Sequence, residues 1–311
     1  MENIRVLEIL RDKNFRNLWT SQLLSQTFLN VLIFSQLLHV YDLTKSNIAV
    51  SILVLTIGVP NLILGALAGV FVDRWDKKIV MFFSQFIRVF AVLLFIVSPG
   101  SVLWIYALML VISGVTQFWA PAEVSTIPTI IKGNLLLTAN SVFTLTFFST
   151  VILGNILAGP FLALLGTHGT YLVVALAFLA ASGFVIKLPG LSIAAWLKET
   201  LGQIQNGSFK PTGGNHIGFE LKKEFIEGLK FIKEHRNISQ SIFYLAMSQT
   251  LIASLSVIAP GFADRVMHVQ SVDVSFLVML PAALGMVIGA LVLGQFFVKY
   301  NKFLLIRFGI V

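Results

Sequence analysis

Gly69-Val-Phe-Val-Asp73-Arg74-Trp75-Asp76-Lys77-Lys78 is a charged knot set between two apolar runs, 47–72 and 79–98. Each run has about the 20 residues needed to cross the hydrocarbon core of a bilayer as a helix, and the knot supplies what stops one crossing and starts the next. The same alternation continues outward in both directions, giving further spans near 17–40, 101–122, 140–165, 170–188, 238–262 and 274–298. Another apolar run starts at Phe303 and stops at Val311, well short of the ~20 residues of a crossing. The expectation is an all-α polytopic membrane protein with eight complete transmembrane helices plus the start of a ninth, truncated at its C-terminus.

Composition agrees. Of 311 residues, 57% are hydrophobic and 12% charged, and mean hydropathy is +0.88, whereas soluble domains carry about 25% charged residues. A single core with a water-soluble surface is excluded. The net charge of +8 does not indicate a nucleic-acid partner, because the basic residues sit in loops rather than on one folded polar face. The absence of cysteine excludes disulfides, thiolate metal sites and cysteine nucleophiles.

Orientation follows from where those basic residues fall. All but three of the 22 Lys and Arg lie on one set of alternate segments: the N-terminal arm, the knot with Arg74, Lys77 and Lys78, Lys132, Lys187 with the long connection that follows it, and the stretch from Lys299. The exceptions are Lys45 and Arg265 on the opposite side and Arg88 inside a span. Positive loops stay cytoplasmic, so a cytoplasmic N-terminus in the cell (inner) membrane is expected.

The chain divides at its long connection into an N-terminal six-helix bundle (1–188), a cytoplasmic linker (189–236) and an incomplete C-terminal bundle (237–311). In the linker, Leu221, Phe225, Leu229 and Ile232 recur at helical spacing between charged residues, the pattern of an interfacial amphipathic helix. The two bundles echo each other: Ser25-Gln26-Thr27 and Ser248-Gln249-Thr250 open their first spans, and Pro60 to Gly69 is matched by Pro281 to Gly294, each enclosing Gly-Ala-Leu. Internal symmetry of this kind marks transporters with a substrate path between repeated halves.

Gly69 to Lys78 resembles the loop motif of the major facilitator superfamily, in which Gly, three residues and Asp are followed by a basic residue, any residue, Gly and two basic residues. Asn14 to Trp19, Pro121 to Pro128 and Glu227 to Arg236 resemble its drug and macrolide efflux-like branch. The resemblance implies a major facilitator fold and a gating role for Gly69, Asp73, Arg74, Lys77 and Lys78, with Asp73 as a latch. Gly159 and Pro160 are similar to the core of the helix 5 export motif. There are departures: Asp76 replaces the second glycine of the loop motif, Ala163 and Leu164 replace glycines of the export motif, and span 1 has Phe28-Leu29-Asn30 where many relatives carry an acid.

Several polar residues inside apolar spans are candidates for substrate binding or coupling. Arg88 near mid-membrane costs about 2.5–3.5 kcal/mol on insertion scales and must face protein or water. It either lines a cavity, holding an anion or biasing a proton site, or bonds to neighbouring helices. Gln22, Gln26 and Asn30 share one stripe of span 1, with Asn61, Gln117 and Asn155 on other helices, and the same two readings apply. Glu123, read as the inner end of span 4, is placed for a cytoplasmic ion pair with Arg74 or Lys77. Gly65 and Gly69 are read as points of close helix approach. The five His show no metal-ligand spacing.

These readings converge on a secondary active transporter, not an enzyme, exporting amphipathic small molecules by alternating access as a proton-coupled antiporter. It is read as a monomer whose partners are the small-molecule substrate, protons and the lipid bilayer, with no nucleic acid and no cofactor or metal. Alternatives are a dedicated exporter of a siderophore or lipid-like metabolite, and a non-transporting membrane sensor or scaffold.

Overall fold

A computed structural model describes residues 8–97, 100–131, 133–190 and 234–268, with isolated positions between 192 and 198 and at 277, 281 and 285. The described residues form helices and connections: α1 (Lys13–Thr44), α2 (Asn47–Arg74), α3 (Lys77–Leu94), α4 (Val102–Ile130), a 3-10 turn (Gly133–Leu135), α5 (Leu136–Ile186) and α6 (Arg236–Arg265). Four of them, α1, α2 over Asn47–Gly65, α4 and α5, are long and apolar enough to cross a membrane. The protein is a multi-pass membrane protein. The amphipathic pattern 221–232, the span near 274–298 and the run from Phe303 lie outside the described residues.

Local chemistry sets the helix ends. The Asp12 carboxylate accepts hydrogen bonds from the backbone N–H of Asn14 and Phe15, both 2.9 Å, so α1 starts four residues before its apolar run. At the knot, α2 ends with Arg74 and Trp75 turns extended; Asp76 then caps α3, its carboxylate accepting from Ile79 N at 3.1 Å. The departure of Asp76 from glycine therefore leaves a working turn, since Asp and Gly both serve at an N-cap. Asp76→Ala should cost about 1 kcal/mol and Asp76→Gly only a few tenths, read as thermal unfolding midpoints of the full-length protein in detergent. Equal losses for both would remove the capping role.

Spans 5 and 6 are two helices that follow each other without an intervening loop, together labelled α5, with the break at Gly166 (φ 64°, ψ −176°). That region of backbone space is essentially open only to glycine, so Gly166 marks the hinge between the two crossings. α3 finishes earlier than its apolar run, because Phe95, Ile96 and Val97 tighten into i→i+3 bonds.

The largest correction concerns α4. Expected to stop near 122, it runs through Pro121 and Pro128 to Ile130. Each proline removes a ladder donor, leaving the carbonyls of Gln117 and Val124 four residues back without their helical partner; beyond Pro121 the side chains of Ser125 and Thr126 donate to Ala122 O, and Thr129 donates to Thr126 O. Glu123 thus lies about two turns inside the helix rather than at its end.

α1 packs along α5, α2 along α4, and α3 against α4 and α5. Two apolar clusters result, one nearer the Asp76 end, with Phe15, Leu18, Val80, Met81, Trp119, Phe143 and Val185, and one beyond it, with Leu29 to Tyr41, Val89 to Phe95, Ile105 to Ile112 and Phe178. Between them four helices contribute buried polar residues: Ser21, Gln22, Ser25 and Gln26 of α1, Ser84, Gln85 and Arg88 of α3, Ser113 of α4, and Thr146, Thr150 and Ser182 of α5. Among the described residues, α2 and α6 add none to this belt. The outer faces are apolar, with Leu62 85% exposed, as a lipid-facing surface requires.

Candidate functional site

Arg88 is the hub of the polar belt. Its side chain is fully buried; Nη1 donates to Ser25 Oγ on α1 at 2.9 Å and to Gln85 Oε1 at 3.1 Å, and Nη2 donates to Thr116 Oγ1 on α4 at 2.9 Å. The guanidinium lies over the rings of Trp119, at 5.1 Å, and Phe178, at 5.7 Å. One side chain thereby joins α1, α3, α4 and the second half of α5. Fixed acceptors on several elements and two aromatic faces satisfy a cation that lipid would not tolerate.

Glu123 shares this interior. It is 3% exposed, one turn beyond Trp119 on α4, and lies within the electrostatic reach of Arg88 without a direct ion pair. The expectation of a cytoplasmic pair with Arg74 or Lys77 at the inner end of the span is corrected. The reason is the extension of α4, which carries residue 123 back into the bundle. Glu123 Oε1, Gln85 Nε2, Arg88 Nε and Trp119 Nε1 are all buried without a hydrogen-bond partner.

The remaining candidates separate into two groups. Gln22 and Gln26 are buried against α5, Gln22 donating to Phe143 O at 3.4 Å, while Asn30 donates to Gln26 O of its own helix at 2.8 Å. Their stripe therefore faces α5. On the face of α5 that meets α1, Gly154 sits so close that an added Cβ would lie 2.5 Å from Asn30 Cβ and 2.6 Å from Thr27 O. Asn61 is exposed on α2 and Gln117, half-buried on α4, donates to Ser113 O at 3.2 Å; their carbonyl oxygens converge over Gly65. Asn155 is half-buried beside Gly154, Gly159 is buried, and Pro160 lies within α5.

The knot forms a groove of about 550 Å³ at the end of the bundle, lined among others by Arg74, Lys77, Lys78, Thr126 and Thr129. Lys78 Nζ donates to Leu188 O at 2.7 Å, placing a cation at the C-terminal end of α5. Asp73 is exposed in the last turn of α2 and does not cap α3; Asp76 does. Gly69 has open space around it, so close approach there is also corrected: the tight crossings are at Gly154 and Gly261.

Gly261 belongs to a contact that sequence reading missed. At the end of the bundle away from the knot, Tyr41 Oη of α1 donates to Asp264 Oδ2 of α6 at 3.0 Å, and Arg265 Nη2 donates to Lys45 O at 3.1 Å. A Cβ on Gly261 would meet the Asn47 amide, 2.7 Å from its nitrogen. The first span of the second half is thus fastened to the first half at that end. The sequence signal was the pair Asp264-Arg265 closing an apolar run, legible as a boundary but not as a contact.

A family model described as Major Facilitator Superfamily matches residues 18–311. The chain is also similar to a protein of Bacillus subtilis (strain 168) described as uncharacterized MFS-type transporter YfiS, 28% identical over 153 residues, 49% of this chain. That match spans 36% of the relative's length.

Proposed function

The chain belongs to the major facilitator superfamily, and we propose that the protein is a secondary active transporter that exports amphipathic small molecules by proton-coupled antiport. The observation that carries this reading is the polar belt: a level of buried Ser, Gln and Thr side chains around Arg88, set in the middle of an apolar bundle. Polar and charged groups at that depth are expensive and mark a substrate or ion path. Alternating access needs two halves that meet at one end and part at the other, and the Tyr41–Asp264 and Lys45–Arg265 bonds supply a fastening at the end away from the knot.

Within this reading the knot is the complementary gate at the cytoplasmic end. Asp73 supports it by its position: an acid in the last turn of a helix opposes the macrodipole, so it contributes nothing to the stability of α2. A latch that biases two states without supporting the core changes transport and not folding. The test measures ethidium accumulation in cells expressing the full-length gene, with and without an uncoupler. Expression should lower accumulation, the uncoupler should abolish the difference, and Asp73→Asn should lose most of the efflux at unchanged membrane abundance. Accumulation unaffected by the uncoupler would sink proton coupling; full efflux by Asp73→Asn would reduce Asp73 to a topology residue.

A further inference from the structure

We infer that Glu123 is the carboxylate that takes up and releases the coupling proton, that it exchanges this proton with the groove at the knot through the Thr126 face of α4, and that Arg88 is the fixed charge opposing it. The inference rests on the reading of proton-coupled transport and deepens it.

Three observations lead to Glu123. It is an acid buried inside the helical bundle with an oxygen that accepts no hydrogen bond, in a cluster where Gln85, Arg88 and Trp119 each hold a buried donor without a partner. Buried polar groups in a structure made for stability alone are satisfied, and a half-satisfied network is costly enough that its retention points to use. Next, the cluster has a route out. On α4, Glu123, Thr126 and Thr129 follow at intervals of three residues and share a face, and on α3 Lys78, Met81, Gln85 and Arg88 do the same at three- and four-residue intervals. Lys78, Met81, Thr126 and Thr129 line the groove, so the two faces lead from it to Glu123. Both ends of the belt are flanked by apolar clusters, but towards the knot Thr126, one turn from Glu123, already lines the groove, whereas in the other direction the whole cluster of Leu29 to Tyr41 and Val89 to Phe95 intervenes.

The third observation is charge. Among the described residues, Arg88 of α3 is the charged side chain whose field reaches Glu123. From α1 the cluster receives Ser25, from α5 the ring of Phe178, and from α4 Thr116 and Trp119, none of them charged; Arg74, Asp76, Lys77 and Lys78 stand at the groove. With Glu123 ionised, the belt is neutral. A proton delivered by hydronium in the groove forms the O–H bond of the carboxylic acid, leaves water behind, and leaves the belt with the single positive charge of Arg88. An organic cation then enters an already positive interior, so its binding and proton binding oppose each other, and by linkage the opposition is mutual. That is the thermodynamic requirement of antiport.

The test uses the full-length protein in proteoliposomes with ethidium as the probe. In Glu123→Gln, which fixes the belt in its proton-loaded charge state, uptake driven by an imposed pH gradient should fall about tenfold or more, and the ethidium exchange that remains at equal pH should be weaker than in the wild type and should no longer vary with pH, since the two binding events are uncoupled. Infrared difference spectra between acidic and alkaline pH give a readout independent of transport: a carboxyl C=O band present in the wild type, lost in Glu123→Gln, and diminished when ethidium is added. Gradient-driven uptake retained by Glu123→Gln, or a wild-type band unchanged in that variant, overturns the inference. If the wild type shows the band but no gradient-driven uptake, proton-coupled export fails while proton exchange at Glu123 stands. Should Glu123→Gln not fold, Glu123→Asp keeps the carboxylate with a shorter reach; a shifted pH midpoint of gradient-driven uptake supports the assignment, and an unshifted one overturns it.

Discussion

Replacing Arg88 by alanine is expected to leave the full-length protein poorly folded as well as inactive. The substitution removes hydrogen bonds to Ser25, Gln85 and Thr116 at once, withdraws a cation from between Trp119 and Phe178, and leaves Glu123 without its opposing charge. Each buried acceptor left without its donor costs about 1–3 kcal/mol, and the Glu123 carboxylate loses the cation nearest it. Arg88→Lys restores the charge but not the fork that reaches α1 and α4 together, so it should recover part of the loss. The double variant Arg88→Ala with Glu123→Gln should unfold at a higher temperature than Arg88→Ala alone, since no stranded carboxylate remains. Thermal unfolding in detergent and recovery as a monodisperse species check all three, and full stability of Arg88→Ala would show that the belt does not hold the helices together.

Gly154→Val is the second large effect. The α1–α5 crossing brings the backbone of Thr27 to Val31 against Gly154, where a Cβ would sit 2.6 Å from Thr27 O and 3.1 Å from Val31 N. A flexible side chain can move aside, but backbone atoms in a packed helix cannot without separating the two helices. Overpacking costs about 1–3 kcal/mol and more where the backbone must shift, and valine adds further atoms to the clash. The yield of folded protein should collapse in Gly154→Val and drop measurably in Gly154→Ala. Gly183→Ala, on the same helix with open space around it, should instead be neutral or gain up to about 1 kcal/mol from helix propensity. Comparable yields for the Gly154 and Gly183 variants would remove the close crossing.

The two effects have one origin in the way this bundle is assembled. α1 is buried over much of its length and contributes both the serine that Arg88 reaches and the backbone against which Gly154 packs. Loss of either contact acts on the same helix, so substitutions at Arg88 and Gly154 should not be additive where α1 is displaced.

The amino-acid sequence by itself determined what depends on distance along the chain. The hydrocarbon core has a thickness, a helix has a rise, and so runs of about 20 apolar residues bounded by charge mark crossings whatever they pack against. That is why the ends of α2 and α3 at the knot, the break between 165 and 170, and the stretch covered by α6 were legible before the fold. Tertiary structure decided what depends on direction around a helix. The apolar residues of α2 run around the helix, so no periodicity reports which face meets a neighbour. The polar stripe of α1 pointed at one face, but only packing shows that the face meets α5. Glycines at 69 and 154 look alike in sequence; one has open space and the other has a backbone against it. Glu123 was misplaced because Pro121 reads locally as a helix end, whereas α4, packed against α2 and α3, continues past it to Ile130. Whether a charge two residues after a proline lies in water or inside the bundle is settled by those contacts, because an isolated segment has no neighbours to supply them.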